Sequence, residues 1–489
     1  MLKNGLYNAI GAAIQIAVGI LAVPLLVNLL GLSEYGLWIL VSSTIAIVEL
    51  AELGLSVSTT YFVAGHLSSR NFEGVRTSLT IILGTILVMA TVVAVVLWNT
   101  STFILSVFST LTATQVVTAN QAMQIGALVV WTRMMQRVFV GIQQAYRKFG
   151  LLNAFTSVQV IVISGGMVLV ALAGGETVAL MYWNLITGLL ALVALVILSI
   201  SLLRPEVKLA PLWNGKQARE ILHYSSSTWV VSLSTAVFSR ADRLVVGAIL
   251  GTSMLGIYGT ITAMTAKINS MSAVVIQPLL PELSARIARR TEVQTDLLTP
   301  ARQSLQLNAV TALAMAAVLF LFAPLLVDLI LPTAPRESTM LAFTLATVIY
   351  GLYSLNAVGY FAHLGLKRMK ELIVIQVAGA GLSIIAIAIG AHAYGVVGAI
   401  IGNAAYLVTL LLTFWGMAQL EVPVKVWLSW IAFPVTWYFV VLGTGLSIPV
   451  DATLLRAGLL AVALAILGQW MMTVNHLQIK PLMRRLIAR

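Results

Sequence analysis

The sequence predicts an all-α integral membrane protein of about fourteen transmembrane helices, on three observations. Hydrophobic residues fill 60% of the 489 positions and charged residues only 9%, whereas a soluble domain carries roughly 25% charged residues to cover its surface. The apolar residues fall in runs of about 20 or more, the length that crosses a hydrocarbon core about 30 Å thick. Lysine and arginine concentrate in alternate connections between these runs, which is typical of multi-pass membrane proteins.

The apolar runs divide the chain into four parts. Six runs define an N-terminal six-helix lobe over residues 1–203, and a polar, basic linker follows at 204–220. Six more define a C-terminal lobe over 221–420, and residues 421–489 supply two additional helices and a basic cytoplasmic tail. Helices are the expected element because a helix satisfies its own backbone hydrogen bonds inside lipid.

The distribution of basic residues predicts the orientation. If both termini are cytoplasmic, the inner segments hold 21 of the 28 lysines and arginines, and the outer segments hold two, Arg336 and Arg456. The remaining five lie within helices. Such an excess in the cytoplasmic loops predicts cytoplasmic N and C termini, and an odd number of helices would destroy it. The net charge of +12 therefore indicates topology, and no nucleic-acid partner is expected.

The sequence also contains an internal repeat. Leu30–Trp38 (LGLSEYGLW) aligns with Leu250–Tyr258 (LGTSMLGIY) at an offset of 220 residues. The same ungapped offset places Arg147–Lys148 on Lys367–Arg368 and Gly175 on Gly395. Six helices per repeat keep both copies in one orientation, so we expect two lobes related by an axis along the membrane normal, with a central cavity.

This arrangement of six, six and two helices, with LGxSxYGLW after helix one, resembles the polysaccharide-transporter branch of the MOP superfamily. The segments Glu52–Leu55, ending helix two, and Gly365–Lys370, after helix ten, are similar to that branch too. Its best-known members are the Wzx-type O-antigen flippases, which serve lipopolysaccharide and other surface polysaccharides.

The resemblance implies a function. Members of this branch move an undecaprenyl-diphosphate-linked oligosaccharide from the inner to the outer leaflet of the bacterial plasma (inner) membrane, and we expect alternating access by rocking of two lobes. A polysaccharide polymerase and a chain-length regulator are then candidate partners. The resemblance identifies the branch better than it identifies the sugars.

Charged residues inside the predicted helices are the candidate functional groups. An arginine or lysine near the bilayer centre costs roughly 2.5–3.5 kcal/mol even on the most lenient scale, so these groups should line a water-filled cavity or pair with carboxylates. They occur on helix two (Glu49, Glu52), helix four (Arg133, Arg137), helix seven (Arg240, Asp242, Arg243) and helix eight (Lys267).

Their spacing leaves two interpretations open. Arg133 and Arg137 are four residues apart and share a helix face, with Gln136 and Gln144 nearby. In the first interpretation, Arg133, Arg137, Arg240, Arg243 and Lys267 form a cationic lumen that binds diphosphate oxygens, and the amides bind sugar hydroxyls. Glu49, Glu52 and Asp242 then serve gating or ion coupling. In the second, the charges form structural ion pairs between helices, for example Glu49 or Glu52 with Arg240 or Arg243.

Other motifs limit the energy source and the alternatives. The chain has no cysteine and no GxxxxGK[ST] segment, so we expect no cofactor, no metal and no bound ATP; membrane potential or an H⁺ or Na⁺ gradient is the expected drive. The alternatives are a multidrug exporter or a lipid II flippase of the same superfamily. A membrane glycan polymerase or ligase is disfavoured, because the outer loop at 99–121 holds no charged residue or histidine.

Overall fold

The computed structural model describes residues 2–52, 54–203, 212–236, 238–276, 295–366 and 368–474. Within these ranges the chain is helical and contains no strand. Three short 3-10 turns lie at Glu49–Glu52, Ser354–Asn356 and Asn403–Leu410. The α-helices, numbered in chain order, are α1 Leu2–Val48, α2 Leu55–Ser68, α3 Phe72–Ser106, α4 Ala113–Ala145, α5 Phe149–Leu172, α6 Thr177–Leu202, α7 Gly215–Ala236, α8 Phe238–Ile276, α9 Thr295–Leu321, α10 Ala323–Ile330, α11 Arg336–Tyr353, α12 Ala357–Gly365, α13 Met369–Gly402, α14 Leu411–Gln419, α15 Val424–Ser447 and α16 Thr453–Val474.

Eleven helical segments of the described residues are long and apolar enough to cross a membrane. Two of them, at 17–68 and 369–419, are 52 and 51 residues long, more than twice the length that one crossing needs. Each contains a break in the helix. The multi-pass all-α class is confirmed, while the count of fourteen helices and the cytoplasmic termini stay predictions.

The break in α13 turns the chain back on itself. Gly395 has a positive φ of 59°, a conformation that glycine adopts without steric cost. On either side of it, the backbones of Gly390 and Gly398 are so close that a Cβ added to Gly398 would lie 1.9 Å from the Gly390 oxygen. Gly402 likewise approaches Ile387. The parts of α13 before and after Gly395 therefore form an antiparallel helical hairpin.

The repeat predicted from the sequence is visible in the backbone. Gly31 in α1 has φ 77° and ψ 163°, and its counterpart Gly251 in α8 has φ 79° and ψ 179°. Both residues break a long helix at the same point of the repeated motif. The sequence alignment placed Gly175 on Gly395, but the structural equivalence differs by one residue. The glycine with a positive φ that corresponds to Gly395 is Gly174. Lys367 of the second match lies outside the described residues.

The motif also brings two repeat-related glycines together. A Cβ on Gly36 would lie 1.8 Å from the Thr252 carbonyl oxygen, and a Cβ on Gly256 would lie 2.4 Å from the Leu32 carbonyl oxygen. Residues 36 and 256 are separated by the same 220 positions as the breaks. Each copy of the motif therefore contacts the other reciprocally, and only glycine permits this approach of the two backbones.

The chain forms two compact units. The first comprises Met1–Ala263, Thr333–Pro335 and Gln376–Ala405, and the second comprises Met264–Pro332, Arg336–Ile375 and Tyr406–Arg489. The predicted lobes at 1–203 and 221–420 rest on the repeat instead, and those boundaries stay predictions. Of the predicted linker 204–220, residues 204–211 lie outside the described residues, and α7 begins at Gly215.

In the first unit, α4 is the central helix and packs against α1, α2, α3 and α6. A capping box fixes its start, in which Thr112 Oγ1 accepts from the Gln115 amide and Gln115 Oε1 accepts from the Thr112 amide. Further along, a Cβ on Gly141 would lie 2.8 Å from the Ser56 carbonyl oxygen. Close packing on several sides explains why α4 can carry polar groups away from lipid.

In the second unit, α9 packs against α11, α15 and α16 around a core that includes Leu313, Leu321 and Tyr438. The Trp437 indole donates to the Ala463 carbonyl at 2.8 Å and ties α15 to α16. The two additional helices predicted at 421–489 are therefore integrated with α9, although they lie outside the sequence repeat.

An exposed ion-pair cluster in the second unit yields a prediction about pH. Arg336 contacts the Asp328 carboxylate through Nε and Nη2 at 2.8 and 2.9 Å and reaches Asp451 at 3.4 Å. Hydrogen bonds from Arg336 hold the pKa of Asp328 below its ordinary value. Because the folded-state pKa is lowered, the pair stabilises the fold above the ordinary aspartate pKa of about 3.9 and loses that effect as the pH falls through the lowered value.

We therefore expect Arg336→Gln to lower the midpoint of thermal unfolding slightly at pH 7, since half-exposed ion pairs contribute little. The decrease should be smaller at pH 3, which lies below the ordinary aspartate pKa of about 3.9. Thermal unfolding in detergent at both pH values measures this. Glu337→Gln, the adjacent position, is the matched control and should not change the midpoint. An Arg336→Gln deficit that is as large at pH 3 as at pH 7 would contradict the assignment.

Candidate functional site

A break in the second predicted helix places two carboxylates in the first unit. After α1 ends at Val48, a single 3-10 turn carries Glu49 and Glu52, and α2 begins after Gly54, whose φ of 68° is left-handed. The sequence predicted the Glu52–Leu55 segment at the end of helix two; the helix instead resumes and continues to Ser68. A 3-10 turn inside a membrane helix is a frequent mark of a functional position.

Arg133 of α4 pairs with the first of these carboxylates. Its Nη1 lies 2.8 Å from Glu49 Oε1, and its Nη2 donates to Asn184 Oδ1 of α6 at 3.0 Å. The Glu49 side chain is only 9% exposed, whereas that of Arg133 is 36% exposed. The ion pair therefore compensates a buried carboxylate, and part of the guanidinium stays accessible.

Arg137 completes a cluster of two acids and two bases. One turn beyond Arg133 on the same face, its Nε lies 3.4 Å from Glu52 Oε2 and its Nη2 lies 4.0 Å from Glu49 Oε2. The second interpretation of the sequence, ion pairing between helices, is thus present. The arginines that pair with Glu49 and Glu52 belong to α4. Of the partners suggested from the sequence, Arg240 interacts electrostatically with Glu49, while the salt bridges of both carboxylates are made to α4.

The cluster keeps hydrogen-bonding capacity. A guanidinium carries five N–H donors in a fixed fork that matches two oxygens of a carboxylate or phosphate. The contacts above use only some of the donors, and the side chains of Arg133 and Arg137 remain 36% and 46% exposed. The arrangement can therefore bind an anionic oxygen while Glu49 and Glu52 hold the arginines in place.

A third arginine adds positive charge near this cluster. Arg240 of α8 is exposed, and it interacts electrostatically with Glu49 and Arg133 as well as with Arg243 and Asp242 of its own helix. With Arg240 included, three arginines face two glutamates, so this part of the site is cationic.

Asp242 takes part in a separate buried network. Its Oδ2 accepts from the Tyr258 hydroxyl at 2.9 Å, and that hydroxyl accepts from Asn403 Nδ2 at 3.0 Å. Asp242 Oδ1 and Arg243 Nε have no hydrogen-bond partner within the part of the chain that the structure describes. The network joins both halves of α8, across the Gly251 break, to the 3-10 turn that begins at Asn403.

The remaining predicted residues lie elsewhere. Gln136 is buried, donates to the Gly188 carbonyl at 2.8 Å and accepts from Gln159 at 3.1 Å, so its amide ties α4 to α5 and α6. Gln144 accepts from Thr60 at 3.1 Å. Lys267 belongs to the second unit, where it is half-buried. Contacts of these three residues with a substrate stay predictions.

Sequence reasoning missed Asn184, Tyr258 and Asn403. Each is a polar side chain within an apolar run: Asn184 in MYWNLITG, Tyr258 at the end of the repeated motif and Asn403 in AIIGNAA. A lone asparagine at such a position requires a partner inside the membrane, and that signal could have identified two of the three. No group of three His, Cys, Asp or Glu side chains in the described ranges could hold a metal ion.

Known structures define the class of fold. A lipid II flippase MurJ in an inward closed conformation matches with a TM-score of 0.76 at 13% identity, over 96% of this chain and 99% of that chain. An inward-facing MATE-family multidrug resistance transporter of the MOP superfamily matches with a TM-score of 0.65 at 14% identity, over 84% of this chain and 98% of that chain. The protein is therefore a multi-pass membrane protein with the fold of these transporters.

The sequence itself identifies the family. The model of the family described as "Polysaccharide biosynthesis protein" matches residues 25–339, more than half of the chain. The chain belongs to this family, and the predicted resemblance to a polysaccharide biosynthesis family is confirmed. Comparison with curated protein sequences gives no significant match.

Proposed function

We propose that this protein is a flippase that moves an undecaprenyl-diphosphate-linked oligosaccharide, the repeat unit of O-antigen or another surface polysaccharide, from the inner to the outer leaflet of a bacterial inner membrane. Its polysaccharide biosynthesis family and its likeness to a lipid II flippase support this substrate class. Alternating access is the proposed mechanism. On the outer face, a polysaccharide polymerase and a chain-length regulator would use the product.

The observation that carries the proposal is the arginine pair of α4. Arg133 and Arg137 are fixed by buried Glu49 and weakly exposed Glu52, yet both keep accessible N–H donors. A cation inside the membrane is costly. If the arginines served only as partners of the glutamates, both guanidinium groups could be fully buried against the carboxylates. Accessible, pre-oriented guanidinium forks suit a diphosphate, whose oxygens can accept paired N–H donors.

A transport assay tests this function. Purified protein in proteoliposomes should translocate a fluorescent undecaprenyl-diphosphate glycan, detected as fluorescence that becomes accessible to a membrane-impermeant quencher. Empty liposomes are the control, and a lipid II analogue and a cationic dye serve as competing substrates. Transport of the dye without transport of either lipid would replace the proposal with a drug exporter, and transport of lipid II alone would replace the proposed substrate.

We also propose that membrane potential drives the cycle, supplemented by an H⁺ or Na⁺ gradient and without a bound cofactor. A diphosphate with about two negative charges gains roughly 4–5 kcal/mol when it crosses outward through about 100 mV, inside negative. Outward accumulation in the same proteoliposomes should therefore fall when a potassium ionophore collapses the potential. Accumulation that is unchanged after potential and ion gradients are removed would contradict this drive.

A further inference from the structure

The second unit contains an apolar cavity that the transport proposal does not use. Its volume is about 160 Å³, and it lies between α9, the 3-10 turns at Ser354–Asn356 and Asn403–Leu410, α14 and α15. Leu355, Leu410 and Ile431 form much of its wall. A cavity of about 150 Å³ with a similar aliphatic and aromatic lining binds benzene, so this one accommodates a ring or a short alkyl chain of that size.

Two residues that line this cavity, Asn308 and Trp427, carry unpaired polar atoms of opposite kind. Asn308 Oδ1, an acceptor, and Trp427 Nε1, a donor, have no hydrogen-bond partner among the described residues. Asn308 is 1% exposed and Trp427 is 2% exposed, so neither atom can form a hydrogen bond with bulk water. An unpaired buried group costs roughly 1–3 kcal/mol. The pair is therefore an unusual feature of an otherwise apolar wall.

Neighbouring contacts hold both groups in place. Asn308 Nδ2 donates to the Ser354 carbonyl at 3.0 Å, which determines which end of the amide is the free oxygen. The Trp427 indole meets Phe414 at a ring-centroid distance of 4.8 Å and an interplanar angle of 84°. The acceptor and the donor are thus fixed features of the cavity, and reorientation of the amide would break an existing hydrogen bond.

We propose that this cavity binds a small monohydric alcohol or phenol of about six carbons, taken up from the membrane. A hydroxyl is both a donor and an acceptor, so one group donates to Asn308 Oδ1 and accepts from Trp427 Nε1 while the apolar body fills the space beside Leu355 and Leu410. A bound water molecule would satisfy the same two atoms, but it would leave most of this apolar volume empty.

Photolabelling tests the proposal on the full-length protein in liposomes. The probe is a six-carbon alcohol that carries a diazirine, and the labelled residues are identified by mass spectrometry. We expect labelling of Leu355, Leu410 or Phe414 that excess 1-hexanol suppresses. A diazirine alkane of the same length without the hydroxyl should label these residues roughly three- to tenfold less, as expected for lost buried hydrogen bonds.

Matched variants separate the cavity from the lipid-facing surface. Leu410→Trp fills the cavity and should abolish the labelling, whereas Leu411→Trp, at the exposed neighbouring position, should leave it unchanged. Trp427→Phe removes the donor but keeps an aromatic ring, and it should weaken 1-hexanol competition roughly three- to tenfold. This conservative change keeps the test valid if Leu410→Trp does not fold.

Two outcomes would overturn the inference. Equal labelling of the Leu410→Trp and Leu411→Trp variants would place the probe on the lipid-facing surface. Equal labelling by the alcohol and the alkane, with no effect of Trp427→Phe, would mean that water occupies the polar end or that the cavity takes any apolar molecule. Neither outcome depends on the transport activity of the protein.

Discussion

Replacing Arg133 and Arg137 together by glutamine is expected to reduce transport of the lipid-linked oligosaccharide roughly 100-fold or more. Each guanidinium would contribute charge-assisted hydrogen bonds of about 1.5–3 kcal/mol to the diphosphate, and their loss lowers the transport rate accordingly. Fluorescence transport in proteoliposomes measures the effect. The same change leaves Glu49 and Glu52 without their partners, so it also destabilises the fold.

A charge-balanced variant separates binding from folding. Glu49→Gln and Glu52→Gln, combined with the two arginine changes, remove the unpaired carboxylates and should restore the thermal stability that the double variant loses. If the arginines bind substrate, this fourfold variant stays inactive although it is folded. If they are only structural partners of the glutamates, it regains transport, and the cationic site must then be sought at Arg240 and Arg243.

Gly36→Ala is expected to lower the thermal stability of the protein substantially. The new Cβ would lie 1.8 Å from the Thr252 carbonyl oxygen, so α1 and α8 must separate by more than 1 Å to accommodate it. Overpacking of this kind costs about 1–3 kcal/mol, and here the obstruction is backbone, which cannot rotate away. The measurement is the midpoint of thermal unfolding in detergent, together with the yield of monodisperse protein.

Gly84→Ala supplies the control for this prediction. Gly84 lies inside α3 and has no atom within 4 Å of the position of an added Cβ; alanine is also the better helix former. The midpoint should therefore stay or rise. Gly256→Ala, at the repeat-related position, should behave like Gly36→Ala. Wild-type stability of both variants would contradict the reciprocal backbone contact.

Much of the architecture could be predicted because lipid imposes simple rules on a sequence. Long apolar runs can only be helices in a membrane, so the elements were identifiable without contacts. The repeat at an offset of 220 correctly marked Gly31 and Gly251 as equivalent, because both copies need the same backbone conformation. The interruption at Glu49–Glu52 was missed, since Ala51, Leu53 and Leu55 continue an apolar pattern across it.

The four charged residues of the ion-pair cluster were among those that the sequence singled out, but the sequence did not predict which of them pair. Intramembrane charges stand out by their cost, and i, i+4 spacing correctly placed Arg133 and Arg137 on one face of α4. Which carboxylate meets which arginine depends on how helices rotate and cross, and spacing within one helix does not contain that information. Asn184 and Asn403 were missed for the same reason, because their partners are 51 and 145 residues away. Tyr258 was missed because its partner Asp242, 16 residues away, lies on the other side of the Gly251 break.

By itself, the sequence determined the all-α membrane class, the internal repeat, the family and the set of charged residues inside the helices. Only the tertiary structure decided that Glu49 and Glu52 pair with α4, that Asp242 joins Tyr258 and Asn403, and that Gly36 meets the backbone near Gly256. The physical reason is the range of the interactions. Hydrophobic length and charge act residue by residue and can be read along the chain. Ion pairs, buried hydrogen bonds and backbone contacts require the relative placement of different segments, such as those that carry Glu49 and Arg133, 84 residues apart.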